Sequence, residues 1–191
     1  MRPRRIIVGC SIFESELTAT LAGQEQYDID FFWLKAGYHA RVDLLNTRLK
    51  EALSQFSAAD IPLVRVFFGQ NCLVDIADVT RGFKLLPEAN CLTSMLGAKR
   101  LRDLECGPSM VVTTSWVRKI YFSKDPEFQI WDNTDFRINF GRYEKIIILD
   151  TGLEPLADEE VLELYDLTET VVEFEKSDLD YFKNLVWDFL A

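Results

Sequence analysis

The chain has 191 residues, 48% of them hydrophobic and 13% aromatic, which suits one compact α/β domain and leaves little room for a second. Its formal net charge of −10, from 21 basic and 31 acidic side chains, repels phosphate backbones and sets nucleic acid aside as a partner. No run of about 18 apolar residues occurs, so no membrane span is expected.

The start, Met1 to Arg5 followed by Ile6 to Val8, begins like a signal segment. Its apolar run is short and is followed by Glu14 and Glu16, so it reads as a first strand of a cytoplasmic protein. Ile6–Cys10 is that strand. Ser11 is placed to cap the next helix, with Glu14 completing a capping box and Glu16 facing water. Phe13, Leu17 and Leu21 share a face, and Gly23 stops the helix.

Ile29–Leu34 is β-rich and forms strand two. Gly37 to His39 is a loop, and Val42, Leu45, Leu49, Leu53 and Phe56 set a helix over about 41–56. Strand three, within Ile61–Gly69, is nearly all apolar, as a parallel strand covered on both faces requires. It turns through Gly69, Gln70, Asn71 and Cys72. A short helix over 74–79 and a short strand over 83–86 follow, ended by Pro87. Leu92, Met95, Leu96 and Leu101 predict a helix to Leu104 despite Gly97.

Met110–Thr114 is a strand, and Ser115 is placed to cap a helix to about Phe122. The stretch 123–143 is an irregular lobe with one helical turn. Lys145–Asp150 is the clearest strand, leaving through Asp150, Thr151 and Gly152. A helix over 158–166, a strand over 170–174 and a closing helix from Asp178, its cap, to Leu190 complete the chain. From Asp150 to Asp180 there are 12 acidic residues and one lysine, read as a solvated face. The sustained alternation predicts one α/β domain over 1–191: a Rossmann-like three-layer sandwich, with a mostly parallel sheet and helices on both faces.

In an open parallel sheet, ligands bind at the carboxyl ends of the strands. Cys10, His39, Cys72 and Cys91 all follow predicted strands. Three thiolates and one imidazole are a known zinc set, and a thiolate at a helix N-terminus is favoured by the dipole. The plain alternative is that the cysteines fill space and His39 packs or caps. Two further chemistries are open: a Cys72 nucleophile with His39 as base, and a phosphate cradle at Gly69–Asn71 or Asp150–Gly152 that lacks the glycine density of a P-loop. No C-x-x-C pair exists, which argues against a zinc ribbon or thioredoxin motif. Cys106, before Gly107 and Pro108, is a loop thiol.

Several segments in order resemble the domain of unknown function family sixteen-thirty-eight of archaea and anaerobic bacteria: Val8–Leu17, Trp33–His39, Gly69–Cys72, Pro87–Cys91, Met95–Gly97, Thr113–Trp116 and Ile148–Leu153. The resemblance implies a cysteine after strand one, a histidine in the second loop, a glycine-rich turn with cysteine and a His-Asp-Cys. These fall on Cys10, His39, Cys72 and Cys91. Two departures stand out: the turn lacks its later glycines, and only Asn90 stands before the last cysteine. The family's genes lie near corrinoid-dependent methyltransferases, which implies one-carbon methyl transfer and a corrinoid or methyltransferase partner protein.

The expected protein therefore binds a metal or cofactor, zinc or another thiolate-bound metal, through Cys10, His39, Cys72 and Cys91, with Asn90 as a supporting partner. The alternative is a non-catalytic accessory or ligand-binding module with structural cysteines.

Overall fold

A computed structural model describes residues 2–23, 26–73, 76–125, 127 and 133–191. In chain order the first half holds β1 (Arg4–Cys10), α1 (Glu14–Leu21), β2 (Asp28–Leu34), α2 (Val42–Leu53), β3 (Val64–Phe67), α3 (Ile76–Val79), β4 (Lys84–Leu85) and α4 (Cys91–Leu104). The second holds β5 (Ser109–Thr113), α5 (Thr114–Trp116), a π-helical turn (Val117–Tyr121), α6 (Asn133–Phe140), β6 (Lys145–Asp150), α7 (Asp158–Thr168), β7 (Val171–Lys176) and α8 (Asp180–Leu190).

The protein is α/β, with every strand pairing parallel. The strands divide between two sheets, ordered β2-β1-β3-β4 and β5-β6-β7. Apolar runs at β1, β3 and β6 become strands buried on both faces, as parallel sheets require. One core cluster is shared by both sheets: Ile7 and Phe67 from the first, Val111, Ile147 and Leu149 from the second, and Leu17, Met95, Phe182 and Val186 from α1, α4 and α8. Phe13, Phe67 and Phe182 meet there, with the Phe13 and Phe67 rings edge-on at 4.9 Å and the Phe13 and Phe182 rings stacked at 5.9 Å. The other face of the first sheet is covered by α2 through Leu45, Leu49 and Leu53. The other face of the second is covered by α6 and α7 through Phe136, Phe140 and Leu164.

Several local expectations are corrected. Ser11 opens a 3-10 turn and caps nothing; its hydroxyl accepts from the Ala36 amide at 2.9 Å, tying the two strand ends together. Glu16 does not face water: it is 1% exposed. The His39 loop is a 3-10 helix over Ala36–Ala40. The α4 run breaks at Gly97, whose φ of 74° leaves the helix; a Cβ there would meet the Tyr181 ring at 3.1 Å, so the kink admits α8. The cap after β5 is Thr113, whose hydroxyl accepts from the Trp116 amide at 3.0 Å, and not Ser115. Asp178 accepts from the Asp180 amide at 3.0 Å, but Leu179 stands between it and α8.

The lobe over 123–143 contains α6, while residues 126 and 128–132 lie outside the described residues, as do 74 and 75 of the short helix. The acidic third is a solvated face, as expected, and it carries surface pairs: Glu160, Glu169, Glu173 and Glu175 with Arg118, Arg137, Lys145 and Arg100. Arg65 places a guanidinium inside β3, where it is 6% exposed. It donates to the carbonyls of Phe189, Pro62 and Val64 at 3.0, 2.8 and 3.2 Å, which satisfies the buried charge and anchors the end of α8.

Candidate functional site

Parallel register brings the strand ends of the first sheet to one edge. Cys10 lies opposite Leu34, and Gly9 opposite Phe67. The chain beyond β3 and the chain beyond β4 are then joined by backbone bonds. Gln70 N–H donates to Glu88 O and Asn71 N–H to Ala89 O, each at 2.8 Å. The approach is so close that a Cβ on Gly69 would lie 2.4 Å from the Asn90 Cα and 2.7 Å from Ala89 O. Only glycine permits it, and it sets Cys72 beside the start of α4. That start is held by a capping box: the Asn90 side chain accepts from the Thr93 amide at 2.9 Å, and the Thr93 hydroxyl accepts from the Asn90 amide at 3.0 Å.

The outcome is a pocket lined by Cys10, Cys72, Cys91 and His39. Its apolar walls include Phe13, Phe68, Trp116 and Ile120. The central space is about 20 Å³, room for about one water-sized body. Trp116 and Ile120 come from α5 and the π-helical turn, so the second sheet roofs a pocket floored by the first. Sequence reasoning missed this roof, although Trp116 shares with the cysteines a place just beyond a strand end. Cys106 is exposed and stands apart.

Burial dominates the electrostatics. It pushes the Cys10 thiol up to about 12, against a hydrogen bond from the Ile12 backbone and a lesser pull from Lys119. Burial also raises Cys72 and, still further, Cys91. Cys91 is raised too by Cys72 and Cys10, and Cys10 by Cys72, so the three sulfurs stand within electrostatic reach of one another. At neutral pH all three are thiols. His39 is at the rim, exposed as a residue, with its ring edge-on to Trp116 at 5.5 Å. Desolvation on that side lowers its pKa, which favours the neutral imidazole.

Three chemistries can be weighed on this geometry. A Cys72–His39 dyad lacks its hydrogen bond, since none reaches the His39 ring among the described residues, and a thiol with a raised pKa is a poor nucleophile. A phosphate cradle at Gly69–Asn71 lacks free donors, because Gln70 and Asn71 spend their amides on Glu88 and Ala89. At the other turn, the Gly152 amide is bound by Asp150 at 2.8 Å. The sulfur and imidazole donors suit a thiophilic ion. Among the described residues no three His, Cys, Asp or Glu side chains already form an ion-holding cluster, so the four donors share a pocket without standing in a ligand arrangement.

The fold and this edge define an α/β protein with a thiol-lined pocket at its strand ends. The chain belongs to the family described as Protein of unknown function (DUF1638), whose family model matches residues 33–186. His39, Cys72, Cys91 and the roof fall within the match, and Cys10 precedes it. No curated protein and no solved structure matches the chain.

Proposed function

We propose that this protein binds a single thiophilic metal ion, zinc first among them, with Cys10, Cys72 and Cys91 as sulfur ligands and His39 as the nitrogen ligand. One observation carries this: donors from four separate chain segments line one pocket with space for one small body. The thiols are neutral when the pocket is empty of charge, so a divalent ion displaces their protons and keeps them as thiolates. Metal-bound thiolate is the nucleophilic form that methyl transfer uses. A role in corrinoid or one-carbon methyl transfer beside a corrinoid or methyltransferase partner is the setting we assign to it. A reducing, cytoplasmic location suits its four free cysteines.

The absence of a ready-made ion cluster among the described residues favours a second function, an accessory module with packed thiols. Purification without oxygen followed by elemental analysis separates the two. About one ion per chain, lost in Cys10→Ser and Cys72→Ser with unchanged circular dichroism, is the expected result. A metal-free wild type with intact thiols that takes up neither Zn²⁺ nor Co²⁺ overturns it and leaves the accessory module.

A further inference from the structure

A pocket that holds a divalent ion on three thiolates and a neutral imidazole carries one net negative charge. Between walls made of Phe13, Phe68, Trp116 and Ile120, that charge needs a fixed cation. Two lysines are near. Lys35 lines the pocket, but its ammonium is bound by Asp125 at 2.7 Å and Glu127 at 3.6 Å, and its side chain is 57% exposed. Two carboxylates on one exposed lysine leave nothing over for the pocket.

Lys119 is placed differently. Its side chain is 28% exposed. Its Nζ donates at 2.6 Å to the carbonyl of Ser11, the residue directly after Cys10. Its ion-pair partner among the described residues, Glu14 at 2.8 Å, is 47% exposed and so more screened by water, while Glu16, which also feels Lys119, is held towards its neutral form by burial. Lys119 also belongs to the π-helical turn that carries Ile120 into the pocket wall, and such turns recur at functional sites. The segment that roofs the pocket therefore brings its positive charge as well.

Resting on the metal-binding function proposed above, we propose that Lys119 is a positioning residue: the fixed counter-charge of the thiol pocket, held against the Ser11 carbonyl to offset an anionic metal–thiolate centre. It touches no ligand and acts through the field at Cys10.

The test is an anaerobic Co²⁺ titration at low salt, read by the thiolate-to-cobalt charge-transfer absorption. Lys119→Met is expected to bind about 10-fold more weakly than wild type, the order of a unit charge acting through the protein interior, and Lys119→Arg to restore most of the affinity. Glu14→Gln, which leaves Lys119 in place and removes the competing carboxylate, is expected to bind more tightly. Folding of each variant is checked by circular dichroism. A folded Lys119→Met with wild-type affinity, or a Glu14→Gln that does not tighten, overturns the counter-charge role while the metal site stands. A wild type that shows no charge-transfer band overturns the site itself.

Discussion

Replacing Gly69 by alanine tests whether close backbone packing gathers the thiols. The backbone at Gly69 is ordinary, with φ −66° and ψ 145°, so alanine suffers no conformational strain there and the effect is purely one of space. The new methyl would lie 2.4 Å from the Asn90 Cα and 2.8 Å from the Asn90 N. Carbon atoms rest about 3.5–4.0 Å apart, so the two loops must part by about 1 Å. Neither contact is a flexible side-chain tip that could swing away. The parting stretches the Gln70-to-Glu88 and Asn71-to-Ala89 bonds, each contributing about 0.5–1.5 kcal/mol, and adds overpacking of about 1–3 kcal/mol. The expected loss is about 2–6 kcal/mol in urea unfolding at neutral pH, with an unchanged m-value and faster thiol labelling of Cys72 and Cys91. A loss below about 0.5 kcal/mol would refute the reasoning.

Glu16 supplies a pH test. Burial raises its carboxyl to about 7, with Glu154 adding and Lys119 and Thr151 opposing. The folded state thus holds a proton that the unfolded chain releases near pH 4.5. Stability is full below that pH and falls by about 3 kcal/mol as pH rises through about 7. Glu16→Gln is expected to flatten that fall, and parallel stability–pH curves for the two proteins would show the carboxyl to be ionised or exposed. Cysteine labelling under native conditions is expected to give one fast thiol, Cys106, and three slow ones, since only Cys106 is exposed; more than one fast thiol would mean an open pocket. Phe182→Ala, which removes a ring that is 0% exposed and packs on Phe13 and Phe67, is expected to cost about 3–5 kcal/mol in urea unfolding. A cost under about 1 kcal/mol would mean that the shared core is not what joins the two sheets.

Much of the fold was legible because apolar runs and helical spacing report single elements directly. The strand Lys145–Asp150 and the amphipathic stripe of Leu45, Leu49 and Leu53 are such cases. The meeting of Cys10, His39, Cys72 and Cys91 at one pocket followed from their shared position after parallel strands. What periodicity does not report is which strand lies beside which. The division into two sheets, and with it the roof of Trp116 and Ile120, depended on neighbours far apart in the chain. Glu16 was misjudged because a glutamate in a first helical turn normally meets water, whereas here the chain after β6 closes over it, with the Thr151 hydroxyl 3.4 Å away. Gly69 looked like a turn residue; its need is for space, which only the partner loop reveals.

The roof of the pocket is encoded after its floor. The last floor residue is Cys91, and the covering residues are Trp116 and Ile120. A growing polypeptide therefore displays its sulfurs uncovered for an interval of synthesis, and the enclosure is completed only when the later segment has emerged and docked.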